Sequence, residues 1–136
     1  MMTRAMDALA FDRIARKHGV AMLLQFGSSV TGKLHPRSDV DIGVLLDRPR
    51  LSLDEDADLR HDLQALFPGH EVDVAFLDHT DALFLKKVME TCRLLSGDPR
   101  RLQRLRIYAF RRYQDHRRFL DMERAFVARR LGARSA

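Results

Sequence analysis

The sequence predicts an α/β (α+β) fold: a small mixed β-sheet of three to four strands flanked by helices, with a long C-terminal helical segment. Three observations carry this. Almost unbroken apolar runs at 20–26, 40–46 and 72–77 suit strands buried within a sheet. Apolar residues around them recur at three- and four-residue spacing, the period of a helix with one inward face. The polar residues then choose the topology. Gly27-Ser28 follows the first run, whereas Asp39 and Asp41 open the second. If both serve one site, the end of the first strand lies beside the start of the second, and the two are antiparallel. Asp73 also sits near a strand start, so the third strand runs parallel to the second and the sheet is mixed.

Each element has a local reason. Thr3 caps a first helix with Met6, Leu9, Ala10 and Ile14 on one face, and His18-Gly19 ends it. A short helix is expected to begin at Ser28 or Ser29, followed by a loop through Pro36. After the second strand and a loop containing Pro49, Leu59, Leu63, Leu66 and Phe67 fall at helical spacing until Pro68-Gly69 stops them. Asp81 opens a helix to about Thr91 with Leu85, Val88 and Met89 inward; residues 93–97 form a short edge strand or turn. Asp98-Pro99 is a helix start, a capping carboxylate followed by Pro at the first helical position. The long helix it opens carries Leu102, Leu105, Ala109, Leu120, Val127 and Leu131 on one stripe, with a break expected near Asp115-His116 and fraying from Gly132.

The chain of 136 residues is expected to be a single domain, with its core at about 20–77 and its C-terminal helical segment at about 98–131. No apolar run approaches the ~20 residues that cross a bilayer, so no membrane partner is expected. Cys92 is the only cysteine, which excludes an intrachain disulfide and suits a reducing cytoplasm. The net charge of +5 is unevenly spread: from Arg100 onward there are twelve Arg and three acids, +9, leaving −4 on the remainder. A basic tail on a mildly acidic body points to an acidic partner or to nucleic acid.

The chemistry lies in Gly27-Ser28-x3-Gly32, Ser38-Asp39-Val40-Asp41 and Asp73. Asp39 and Asp41, two apart on an extended segment, share one face. Carboxylates so spaced can reach two metal ions about 3.5–4 Å apart that clamp a phosphate. Mg²⁺ suits them, because it takes a few carboxylates and fills its other positions with phosphate and water. Asp73 joins them, either by sharing a metal or by accepting a proton from an attacking hydroxyl; Glu71 competes for that role. Gly27 lets the backbone approach a phosphate at a helix N-terminus and Ser28 adds a hydroxyl. Gly32 supplies a turn conformation that other residues resist, and Lys33, Arg37 and Ser38 offer further phosphate contacts. The histidines show no metal-ligand spacing, and no acid–Gly pattern of a calcium loop follows Asp41.

These motifs resemble the nucleotidyltransferase superfamily of DNA polymerase β in its minimal form, over about residues 20–77. The whole chain, through Leu94 to Tyr113-x-Asp115, looks like the MntA family of antitoxins. The resemblance implies the nucleotidyltransferase fold and transfer of AMP from ATP to a tyrosine of a cognate HEPN ribonuclease toxin, with which a hetero-oligomer is expected. It places metal ligands, two Mg²⁺ ions, at Asp39, Asp41 and Asp73, and nucleotide contacts at Gly27 and Ser28, with Gly32 and Ser38 alongside. One departure is visible: relatives often carry a basic residue before the second glycine, where this chain has Thr31.

Three other functions compete. A small-molecule nucleotidyltransferase of the aminoglycoside type usually needs a further helical domain for its acceptor. A non-catalytic antitoxin acting by binding would not need three carboxylates. A nucleic-acid end-modifying enzyme is favoured only by the Arg-rich tail, whose basic face, opposite the apolar stripe, is expected to dock an acidic partner surface instead.

Overall fold

The computed structural model describes residues 4–27, 30 and 39–134. The elements run α1 (Arg4–His18), β1 (Val20–Phe26), β2 (Val40–Leu46), α2 (Leu53–Ala65), β3 (Val72–Phe76), α3 (Ala82–Thr91), β4 (Arg93–Ser96) and α4 (Pro99–Arg134), with a 3-10 turn at Leu77–His79 between β3 and α3. The four strands form one sheet in the order β3-β2-β1-β4. β1 is antiparallel to both β2 and β4, and β2 is parallel to β3. The mixed sheet deduced from the polar residues is therefore the sheet observed, and residues 93–96 are its edge strand.

Helices cover both faces. Alternation along β1 and β2 sends Leu23, Val40, Ile42 and Val44 to one side, where they pack with Phe11, Ile14, Leu59 and Leu63 of α1 and α2. Met22 and Leu24 go to the other side, against Leu85, Val88 and Met89 of α3 and Leu102 and Ala109 of α4. Gly43 lies on that second side because Leu77 occupies the space: a Cβ there would stand 3.3 Å from both Leu77 methyls.

Local signals explain the helix starts. Ser52 and Glu55 form a reciprocal capping box at α2, and the Asp81 carboxylate accepts from Phe84 N–H at α3. α1 and α2 are tied by Asp62, which accepts from Lys17 Nζ at 2.9 Å and lies 2.7 Å from the buried His18 Nε2.

Four expectations need correction. β3 ends at Phe76, because Leu77 turns into the 3-10 segment to pack under Gly43. In α1, Leu9 is exposed; Phe11 and Ala15 are buried beside Ile14 instead, so the buried face is rotated from the expected one. α4 runs unbroken from Pro99 to Arg134, with no break at Asp115-His116. A solvated segment rich in Arg, a good helix former, sustains it there. Its stripe is also only half used: Leu102 and Ala109 are buried, whereas Leu120, Val127 and Leu131 are exposed.

Candidate active site

The site is built where three strand ends meet. β1 ends at Phe26, which stands opposite Asp41, the second residue of β2. On the other side of β2, Asp41 is in register with Asp73, the second residue of β3. Adjacent strands lie about 4.8 Å apart, so Phe26, Asp41 and Asp73 form a row on one sheet face. By alternation from Leu45 and Met22, that is the face covered by α3 and α4. Asp39 lies one residue before β2, two residues from Asp41, and is exposed.

The strand starts that carry the acids are held by specific bonds. Val40 N–H donates to Glu71 O at 2.8 Å, locking the starts of β2 and β3 together. The Gln64 side chain of α2 accepts from Val72 N–H at 3.0 Å and donates to His70 O. Gln64 thus fixes the turn that delivers Asp73. Sequence reasoning passed over it, because a glutamine in the last turn of a helix carries no positional signal without the turn it binds. Glu71, weighed against Asp73 as a competing acid, contributes its backbone carbonyl to this clamp.

Gly27 is required by geometry. Its φ is +78°, a region that side chains resist, and its carbonyl accepts from Val30 N–H at 3.2 Å, closing a turn directly after β1. A Cβ on Gly27 would collide with Asp41 Oδ2 and lie 3.3 Å from Asp41 Cγ. The backbone of this turn therefore lies against the Asp41 carboxylate, which links the glycine motif and the acidic motif in space. Burial, foremost, and then the negative charges of Asp73 and Asp39 push the Asp41 carboxyl above its ordinary range. Asp41 thus feels the charge of both other acids.

The structure thus brings together Asp39, Asp41, Asp73 and Gly27. Ser28, Gly32 and Ser38, with Thr31, Lys33 and Arg37, lie outside the described residues. Phe26 and Phe84 add an aromatic corner beside the acids, with ring centroids 5.8 Å apart in an edge-to-face arrangement. This pair was not singled out from sequence, since nothing in either segment links 26 to 84.

No three His, Cys, Asp or Glu side chains among the described residues are drawn into a preformed metal cage. The donor set nonetheless fits Mg²⁺: all three groups are carboxylates, hard oxygen ligands whose mutual repulsion a divalent cation would relieve. That ion is ordinarily held by one or two protein carboxylates, with water and substrate phosphates completing its shell.

Among the described residues, two clefts flank the domain. One of about 410 Å³ lies against the α1–α2 layer, with Phe11 and Phe67 in its wall, on the sheet face away from the acids. The other, of about 490 Å³, lies between the start of α3 and α4 on the acid-bearing side, where Leu83, Tyr113 and Leu120 meet His116 and Arg117. No described helix is long and apolar enough to cross a membrane.

Comparison with known proteins adds to this. The family model described as polymerase beta, nucleotidyltransferase matches residues 11–100. No curated protein is significantly similar in sequence. Among solved structures, a chain in a toxin–antitoxin crystal structure with AMP-PNP matches with a TM-score of 0.69 and 20% identity, covering 92% of this chain and 98% of that one. A chain from the complex of tri-AMPylated Shewanella oneidensis HEPN toxin with MNT antitoxin matches with a TM-score of 0.64 and 18% identity, over 95% and 98% of the two chains. A chain from an MntA–HepT toxin–antitoxin structure gives 0.63 and 18%, over 93% and 97%. At these identities the likeness establishes the fold.

Proposed function

Because this chain belongs to the polymerase β nucleotidyltransferase family, we propose that it is an antitoxin that transfers AMP from ATP to a tyrosine of a cognate HEPN-type toxin, working in the cytoplasm as a complex with that toxin. The observation that carries this reading is the register pair Asp41–Asp73 beside the left-handed turn at Gly27. Support for the acceptor and nucleotide comes from the neighbours, structures of toxin–antitoxin complexes that include AMP-PNP and a tri-AMPylated HEPN toxin.

Asp39 and Asp41 would hold Mg²⁺, with Asp73 as a shared ligand of a second ion. When bound, the metal supplies charge stabilisation to the phosphate oxygens and lowers the pKa of a coordinated hydroxyl. The residues do the rest. The Gly27 turn bares its backbone toward the triphosphate, with Ser28, Gly32 and Ser38 as further contacts. The tyrosine oxygen attacks the α-phosphorus in line, and a new O–P bond forms as the bond to the bridging oxygen breaks. Pyrophosphate leaves, and the phenolic proton passes to Asp73 and then to solvent.

The test is to incubate the protein with α-labelled ATP, Mg²⁺ and the cognate HEPN-type protein. Label on a tyrosine of that protein, lost with Asp41→Asn, is the expected result. Undiminished labelling by the Asp41→Asn protein would overturn the site, and label passing only to an aminoglycoside-type acceptor would overturn the substrate class.

A further inference from the structure

The second half of α4 is the largest feature that the site does not absorb. The helix has 36 residues, about 54 Å of length at 1.5 Å per residue. Its first half is packed. Leu102 and Ala109 are buried, Arg106 reaches Cys92 at the end of α3, and Lys86 of α3 sits 4.7 Å over the Tyr113 ring. The contacts run Cys92 to Arg106, Lys86 to Tyr113 and Leu83 to Leu120, so α3 and α4 are antiparallel. α3 is used up at Leu83. From Asp115 to Gly132 every residue of α4 is exposed.

That exposed segment is not a plain solvated helix. Leu120 and Val127 continue, at spacings of eleven and seven, the line that Leu102 and Ala109 bury. Phe119, Met122 and Phe126 flank it at helical spacing and are 62%, 68% and 57% exposed. Anchors at i, i+3 and i+7 are how an amphipathic helix enters an apolar groove. Charges share this side of the helix: Glu123 falls between Phe119 and Val127, and the Arg130 guanidinium stands 5.2 Å over the Phe126 ring. Exposed apolar side chains clustered among charges in this way mark an interaction site.

Position and charge select the occupant. The start of α3 is beside the acids, since Phe84 packs on Phe26, which stands opposite Asp41. The cleft lined by Leu83, Tyr113 and Leu120 lies at that end, and the exposed half of α4 begins there. A protein seated along it is next to the candidate active site, on the same sheet face. Between Asp115 and Arg134 there are six Arg against three acids, Asp115, Asp121 and Glu123. The excess is positive, so an acidic surface is favoured and two copies of this helix repel. The acids and phenylalanines interrupt the basic residues, which disfavours a continuous track along a phosphate backbone.

We propose that the apolar face of α4 formed by Phe119, Leu120, Met122, Phe126 and Val127 is the docking helix for an acidic partner protein with an apolar groove, the protein that carries the acceptor hydroxyl. This rests on the transferase reading for the partner's role, though not for its binding. It also extends the expectation that the basic face helps to dock the partner: the phenylalanines anchor the contact, and Arg130, stacked on Phe126, brings positive charge into it.

The test uses the full chain with Phe119→Ser, Met122→Ser and Phe126→Ser combined, and as a control Ala125→Ser with Ala128→Ser in the same segment. Binding to the cognate HEPN-type protein is measured without ATP, so that docking is read apart from chemistry. ATP binding and helicity by circular dichroism are measured on each variant. The triple variant is expected to bind the partner at least about 100-fold more weakly, as loss of clustered anchors does, with helicity and ATP binding kept and the control unchanged. Partner affinity within about threefold of the parent would overturn the proposal. So would a parent dimer in sedimentation that the triple variant dissolves, or tight binding of a single-stranded RNA 20-mer that the triple variant loses. Lost docking in a system that never transfers AMP would sustain the docking helix and sink the transferase reading.

Discussion

Replacing Gly27 by Ala separates two costs that the structure places at one residue. Gly27 and Gly69 have nearly the same conformation, φ +78° and +84°. Holding a side chain in that left-handed region costs about 1–2 kcal/mol. The gain from restricting the unfolded chain is shared by both substitutions and cancels in their comparison. Their surroundings differ. A Cβ on Gly69 meets nothing within 4 Å, whereas one on Gly27 collides with Asp41 Oδ2 and stands 3.3 Å from its Cγ. Forcing an atom into such a space costs a further ~1–3 kcal/mol. Gly69→Ala is therefore expected to lose about 1–2 kcal/mol and Gly27→Ala about 2–5 kcal/mol. In an Asp41→Ala background the collision partner is gone and the nearest remaining Asp41 atom, Cβ, is at an ordinary 3.6 Å, so Gly27→Ala should fall to the Gly69→Ala value. The assay is urea unfolding of the four proteins and the double variant, with AMP transfer measured alongside. Gly27→Ala should also lose transfer, because the Asp41 carboxylate must move. Equal losses at the two glycines, or no relief without Asp41, would refute the contact between the turn and the acid.

Other consequences can be checked together. Because burial and its acidic neighbours raise the Asp41 carboxyl in the folded protein, its ionisation opposes folding: the stability it contributes is full below the unfolded carboxylate range and is lost as pH rises through the raised value. Asp41→Asn should melt higher than the parent at neutral pH, with the difference gone by about pH 3, and added Mg²⁺ should raise the melting temperature of the parent only. Asp62 is held below its usual range by its hydrogen bonds to Lys17 and then His18, so its contribution is present above the unfolded range and is lost as pH falls through the lowered value. Asp62→Ala should cost about 1–2 kcal/mol at neutral pH, measured by denaturant unfolding, and leave transfer intact. Gln64→Ala should cost about 1 kcal/mol and reduce transfer, since the turn before Asp73 loses its bonds to the Gln64 side chain; unchanged kinetics would limit Gln64 to a structural role. Ser52→Ala should cost about 1 kcal/mol through loss of the cap with kinetics unaltered.

What sequence could tell about this protein depended on period and on shared purpose. The sheet was legible because each strand is a short apolar run and because one chemical task had to gather Gly27, Asp41 and Asp73. That requirement alone fixed β1 antiparallel to β2 and β2 parallel to β3. Side chains that act through the backbone of another element, such as Gln64 on His70 and Val72, left no trace, since nothing in a sequence says which turn lies beside which helix. The end of α4 misled for a related reason. Leu120 and Val127 keep the spacing of a buried stripe, but burial needs an opposing surface, and α3, which begins at Ala82 and runs antiparallel to α4, reaches no further along it than Leu83. The periodicity was real, but beyond Leu83 these side chains are left exposed. Leu9 shows the same ambiguity in α1, where Met6, Leu9 and Ala10 pointed to a face rotated from the one that Phe11, Ile14 and Ala15 bury.

The central claim is that the acids at the meeting point of three strands carry nucleotidyl transfer to a bound protein. It is tested most directly by one labelling experiment with α-labelled ATP and Mg²⁺, in which the parent and the Asp41→Asn protein are each mixed with the cognate HEPN-type protein. The expected result is label on a partner tyrosine with the parent, reduced on the order of 10²–10³-fold or more by Asp41→Asn while the complex still forms. Equal labelling by both proteins, or a stable complex in which the parent never transfers label, would contradict it.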